Sequence, residues 1–120
     1  MRRVYVDATM NWTNVFEVED GDLVIINATG SARFGLFGRQ VGPDGAAGPL
    51  TPADQGWPLE NAPPFALIGS LGGPPFLVGS KRSITFNLNS RPLMLILGPN
   101  DGELWDNAGE FDCEVLWYRS

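Results

Sequence analysis

The sequence predicts an all-β fold, an antiparallel sandwich or barrel, and three observations carry that prediction. Short apolar runs with period-two alternation or a β-branched bias recur along the chain, no stretch holds a 3.6-residue apolar period, and turn-forming residues separate the runs. Gly (15) and Pro (10) supply about a fifth of the 120 residues and cluster between the runs without repeating, which favours many turns over helices. The length fits one domain, residues 1–120, around one core. Charged residues are 18% and hydrophobic residues 43%, the reverse of the imbalance that leaves a chain disordered.

Taken in order, residues 3–8 alternate Val4 and Val6 against Tyr5 and Asp7, the pattern of a half-buried strand. Val15-Phe16-Glu17-Val18 repeats it. After the turn dipeptide Asp20-Gly21, residues 22–28 are rich in Val and Ile and read as a strand closed by Thr29-Gly30. Residues 35–64 have neither period and carry Gly, Pro, Asp and Ala with isolated Val41, Leu50 and Trp57. A loop of that length in a small domain is mostly functional or disordered. Because Trp57 and Phe65 need cover, an ordered loop folded over one end is expected. Five further strands follow at 65–69, 76–79, 83–88, 93–97 and 110–118, each bounded by Gly, Pro, Asn or Asp.

Composition excludes several function classes. Eight basic against fourteen acidic residues leave a net charge of −6, so there is no cationic footprint for a phosphate backbone and no nucleic-acid partner is expected. The chain has no histidine, which removes Ser-His-Asp and Cys-His catalysis and histidine-ligated metals. The single Cys113 cannot form an internal disulfide, and within the alternating Phe111-Asp112-Cys113-Glu114-Val115 it reads as a small buried hydrophobe. No apolar stretch approaches the roughly 20 residues of a membrane span. Met1-Arg2-Arg3-Val4 leads directly into a strand pattern, so no cleavable export signal is read; the expectation is a soluble chain, cytoplasmic or exported without such a signal. The sequons at Asn11 and Asn27 read as chance matches.

The segment with chemistry in it is Asn100-Asp101-Gly102-Glu103-Leu104-Trp105-Asp106-Asn107-Ala108-Gly109, a hairpin between two apolar strands. Hard cations such as calcium take six to eight oxygens from carboxylates, amides, backbone carbonyls and water, and a short loop can supply several at once. Asp101, Asp106 and Asn107 suit that role, and two carboxylates nearly balance a divalent charge. The competing reading is an ordinary turn, since Asn, Asp and Gly bond to local backbone and tolerate left-handed conformations. The loop does not follow the EF-hand pattern. A third reading makes Asp101, Glu103 or Asp106 the carboxylate pair of a glycosidase, but such pairs face each other across a deep cleft, which one surface loop does not build.

From this hairpin outward the sequence resembles the PA-IL (LecA) family of bacterial lectins, small calcium-dependent galactose-binding proteins. The resemblance runs through Asp20-Gly21-Asp22, Ala28-Thr29-Gly30, Phe34-Gly35, Val41-Gly42-Pro43-Asp44-Gly45 and Asp54-Gln55-Gly56. It continues through Ala62-Pro63, Ala66-Leu67-Ile68-Gly69, Phe76-Leu77-Val78-Gly79 and the hairpin itself. It implies a PA-IL-like, galactose-binding-domain-like antiparallel β-sandwich. It also implies a calcium ion held by the side chains of Asp101, Asp106 and Asn107 and by backbone carbonyls of Phe34 and Glu103, with sugar hydroxyls completing the shell.

One departure is informative. The family's galactose binders carry His-Pro-x-Gln-Gly, where this chain has Pro52-Ala53-Asp54-Gln55-Gly56, so Gln55 is kept and the histidine is not. Losing one ligand hydrogen bond costs on the order of 1 kcal/mol, about five-fold in affinity, so binding persists with a changed preference. The implied sugar-binding set is Gln55, Asp101, Asn107, Pro52 and Trp57, with no catalytic residue and galactose-type glycans as partners. Trp57 and Trp105 are each either a stacking platform for a sugar ring or a core aromatic with a polar tip. The resemblance further implies a homo-oligomer, with a tetramer as the assembly to test. The rival from another class is a structural or interaction domain that keeps the sandwich and recognises no sugar.

Overall fold

The alternation in the sequence becomes two facing antiparallel sheets in the computed structural model, which describes residues 1–35, 38–89 and 91–119. Among these residues the strands are β1 (Arg2–Asp7), β2 (Thr13–Val18), β3 (Leu23–Arg33), β4 (Gln40–Val41), β5 (Leu67–Ser70), β6 (Phe76–Leu77), β7 (Lys81–Thr85), β8 (Leu93–Pro99) and β9 (Ala108–Tyr118), and no helix forms. One sheet runs β1-β9-β3-β4, with β7 also paired to β3; the other runs β2-β8-β5-β6. The architecture is therefore the sandwich of the two predicted alternatives. No helix among the described residues is long and apolar enough to cross a membrane.

Register explains the core. Val4 pairs with Cys113, Val6 with Phe111, Ile26 with Val115 and Ala28 with Cys113. Every second residue of the first sheet therefore turns inward, towards Phe16, Val18, Leu67, Leu95 and Leu97 of the second. Burying each large apolar side chain contributes about 1.5–3 kcal/mol, so this inner layer holds the sheets together. In β2 the adjacent Val15 and Phe16 are both buried, because the register against β8 shifts between Asn14 and Phe16. Such a bulge re-aims one side chain inward.

Several strand ends depart from expectation: 76–79 shortens to Phe76–Leu77, 93–97 extends to Pro99 and 110–118 starts at Ala108, and three further departures have a visible cause. Thr29-Gly30 does not close β3, which continues to Arg33 because β9 runs beside it over the whole length. Gly30 takes φ 89° opposite Phe111, and a Cβ there would lie 3.2 Å from the Glu110 carbonyl oxygen, so only glycine lets the strand pass. The strand expected from residue 65 starts at Leu67, since Phe65 has φ 68°. The strand expected at 83–88 covers Lys81–Thr85, and Phe86 instead bonds to the turn before β3, donating to Asp22 and accepting from Gly21.

Over its described residues the long loop folds across one end, as expected, although it includes the short β4, which pairs Val41 with Ala32. Leu36 and Phe37 lie outside the described residues. Its centre is the buried Thr51, whose hydroxyl donates to the Leu59 carbonyl at 2.7 Å and accepts from the Ala62 amide at 3.2 Å. The Thr51 amide also donates to the Ala62 carbonyl.

Two buried groups give testable consequences. Cys113 is fully buried, and that burial, with Asp112 adding to it, pushes its thiol up to about 12. A thiol-specific disulfide reagent should leave it unmodified in the native state and react at the unfolding midpoint in urea. Asp22 is likewise fully buried. Burial acts to raise its carboxyl, but the Glu19 amide at 2.8 Å, the Trp117 indole at 2.9 Å and the Arg119 guanidinium outweigh it and hold the group below its ordinary 3.8. A depressed folded value contributes stability that is present above the unfolded value and lost as pH falls through the folded one. The stability advantage of the wild type over Asp22→Asn should thus be full at pH 7 and shrink below about pH 4, read as urea midpoints across that range.

Candidate functional site

The hairpin from β8 to β9 meets two other segments at one end of the sandwich. Where β8 ends, Asn100 is completely buried: its Oδ1 accepts from the Leu59 amide at 2.9 Å, and its Nδ2 donates to the carbonyls of Leu59 at 3.0 Å and Pro63 at 3.3 Å. Its main chain pairs with Phe65 and Ala66. One amide side chain therefore fastens the long loop to the hairpin. At the contact point a Cβ on Gly102 would lie 2.9 Å from the Gly56 carbonyl oxygen, so the approach of the two loops requires glycine there.

Asp101 follows, 7% exposed. Its Oδ1 accepts from the Glu103 amide at 3.0 Å and its Oδ2 from Asn107 Nδ2 at 2.8 Å. Asn107 is equally buried and ties three segments together: Nδ2 also donates to the Ala8 carbonyl at 2.9 Å after β1, and Oδ1 accepts from the Gly35 amide at 3.2 Å after β3. Asp106 is half-buried, with Oδ2 3.9 Å from where a Cβ on Gly35 would stand. Phe34 reaches the same place because β3 continues past Gly30, and it stacks on Phe65 at 4.7 Å while Trp57 meets Phe65 edge-on at 5.5 Å.

These segments enclose an open pocket of about 310 Å3, lined among others by Asp101, Glu103, Asp106, Gln55, Trp57 and Phe34. Four residues of the expected metal set, Asp101, Asp106, Glu103 and Phe34, thus reach one cavity, with Asn107 directly behind Asp101. Of the expected sugar-binding set, Gln55, Trp57 and Asp101 line it, Asn107 backs it, and Pro52 is not among its lining residues. Trp105 is 78% exposed and lies outside the lining, which leaves Trp57 as the aromatic of the two that faces the pocket. Phe65 is a lining residue that sequence reasoning placed in a strand and under the long loop but not in the site; its signal is the Pro63-Pro64 pair, which blocks an early strand start and leaves an aromatic at the loop's exit.

The donor chemistry fits a hard cation. Asp101 and Asp106 bring two negative charges to the cavity, and Phe34 and Glu103, whose carbonyls the resemblance implies as donors, line it too; Asn107 lies behind, its amide oxygen accepting from the Gly35 amide. Among the described residues no lysine or arginine pairs with either carboxylate, and no hydrogen bond reaches that of Asp106. Two carboxylates lining one cavity favour a cation between them, and a divalent ion would balance their charge. No group of three Asp, Glu, Cys or His side chains converges among those residues, so an ion here would depend on carbonyl and amide oxygens beside two carboxylates.

No family model and no curated protein matches the chain. Among solved structures it is similar to the N-terminal domain of EclA, described as a PllA-like lectin. The likeness has 27% sequence identity and a TM-score of 0.72, and it covers 98% of this chain and 97% of that one. It therefore takes in both sheets, the long loop and the hairpin.

Proposed function

We propose that this chain, which is similar over nearly its whole length to a PllA-like lectin domain, is a PA-IL-like lectin that binds carbohydrate in the pocket between the acidic hairpin and the long loop, without turnover. The observation that carries the reading is the meeting of Asp101, Asp106, Gln55 and Trp57 around one open cavity, although they come from loops far apart in sequence. Asp101 and Asp106 offer acceptors for sugar hydroxyls, Gln55 offers both a donor and acceptors, and Trp57 offers an apolar face. Asn107 holds the Asp101 carboxylate in place, and Asn100 holds the loop that carries Gln55.

Asp101, Asp106 and Asn107, with the carbonyls of Phe34 and Glu103, would hold calcium, which when bound supplies a hard cationic centre with positions that sugar hydroxyls can take. Galactose is the first ligand to test, with altered preference expected where Pro52-Ala53 replaces the family's His-Pro. Single shallow sites bind weakly, so a homo-oligomer, tetrameric by resemblance, would supply avidity.

A glycan array probed with and without a chelator tests the reading. A glycan signal that disappears on chelation is expected. Absence of any chelator-sensitive signal would overturn it in favour of a structural sandwich that recognises no sugar. A chromogenic galactoside should show no hydrolysis, because the carboxylates line an open surface pocket instead of facing each other across a cleft.

A further inference from the structure

Trp57, Phe65 and Phe34 form a continuous aromatic row in the pocket wall, stepping 5.5 Å between the first two ring centres and 4.7 Å between the last two. Phe34 is the buried member of that row, while Trp57 and Phe65 are half-buried. The backbone accepts strain to build it: Phe65 takes φ 68°, a region that bulky residues seldom occupy, and its amide donates to the Asn100 carbonyl at 3.0 Å. On the neighbouring loop Asp54, next to Gln55, takes φ 61°. Backbone strain of this kind persists where the surroundings enforce it, and it clusters at ligand-holding sites. Trp57 is only half-buried, so part of its indole is left for a ligand, whereas Phe34 is packed against Phe111 behind it.

Resting on the carbohydrate-binding reading, we infer that the pocket takes a glycan of at least two rings, one meeting the carboxylates of Asp101 and Asp106 and the next laying its C–H face on Trp57. Phe65 is the positioning residue that holds the indole at that place. The cavity of about 310 Å3 agrees with this, since sites for drug-sized molecules begin at roughly 300 Å3 and a single hexose is smaller than such ligands. The recognised feature is the flat C–H patch of a sugar ring, which matches an aromatic face in shape and polarity.

The test is a printed array that pairs each monosaccharide with disaccharides ending in it, probed in calcium buffer with the wild type, Trp57→Leu, Trp57→Phe, Phe65→Leu and Phe65→Tyr. Wild type should bind the best disaccharide about ten-fold more tightly than its terminal monosaccharide. Trp57→Leu and Phe65→Leu should cut that preference to about two-fold, while Trp57→Phe and Phe65→Tyr keep most of it; melting temperatures show that each variant is folded. Monosaccharide binding with no preference for the longer glycan overturns the inference alone. So does a preference that survives in Trp57→Leu. If no glycan binds the wild type, the carbohydrate reading itself fails, and this inference falls with it.

Discussion

Replacing Asn100 with alanine is expected to lower the melting temperature by about 10–20 °C, because it empties a fully buried position and strips two half-buried partners of their bonds, for a cost of about 3 kcal/mol. The Leu59 amide loses its acceptor and the Pro63 carbonyl a donor, at a position where Asn100 itself is fully buried. The Leu59 carbonyl keeps the Thr51 hydroxyl. The loss concentrates in one place: residues 51–62, closed on themselves by Thr51, are released from the hairpin. Limited proteolysis should therefore cut the variant within this loop while the strands stay protected, and glycan binding should fall because Gln55 and Trp57 no longer face Asp101. Asn100→Asp keeps the acceptor for Leu59 but sets a buried carboxylate oxygen against the carbonyls of Leu59 and Pro63, so at pH 7 it should be no more stable than the alanine variant. A melting temperature within a degree or two of wild type in the alanine variant, with the loop still protected, would show that the loop is held by something other than this amide.

That role was not readable from the chain, because in sequence Asn100 looks like one more oxygen donor among Asp101, Asp106 and Asn107. Whether an amide points at a ligand or at its own fold depends on what lies beside it, and here the neighbours are Leu59 and Pro63, which no local pattern links to it. Strands are different. Alternation is a local property, so Val4 with Val6 and Phe111 with Cys113 and Val115 announce their inner face without knowledge of partners. Where the reading failed, pairing overrode a local signal: Gly30 is a turn residue by habit, yet β9 carries β3 through it. The same extension delivers Phe34 to the pocket.

The pocket itself was legible through likeness to known lectins and not through chemistry read along the chain. Gly56 and Gly102 touch across the fold, and it is this contact that brings Gln55 and Trp57 beside Asp101. The long loop has no period to reveal such a contact, and only its apolar residues, Trp57 and Phe65, hinted that it must pack on something. Spacing in the hairpin equally left a turn and a cation site open. Turn bonds and a carboxylate that lines the cavity coexist there, since Asp101 accepts from Glu103 and Asn107 and still faces the pocket.

Calcium is expected to raise the melting temperature of the wild type, and the size of the rise reports the ion's affinity. An ion that binds the folded chain alone stabilises it by about 2.7 kcal/mol at a hundred times its Kd, which for a domain of this size is about 6–15 °C. Asp106→Asn is the sharper variant for this experiment. Among the described residues no hydrogen bond reaches the Asp106 carboxylate, so the amide costs the fold little, and without calcium its melting temperature should match wild type or exceed it slightly as a like charge beside Asp101 is removed. With calcium the shift should fall to less than a third, because one of two formal negative charges is gone. Asp101→Asn should behave differently even without the ion: an amide nitrogen placed at either oxygen position would meet the Glu103 N–H or the Asn107 Nδ2, and the variant should melt lower throughout. Magnesium separates specific binding from ionic strength, since it demands a tight octahedron and sheds water reluctantly, whereas calcium accepts a looser shell of carbonyls and carboxylates. Equal shifts with calcium, magnesium and matched sodium chloride, or an undiminished calcium shift in Asp106→Asn, would remove the ion from this site and leave direct hydrogen bonding by Asp101, Asp106 and Gln55 as the means of holding a sugar.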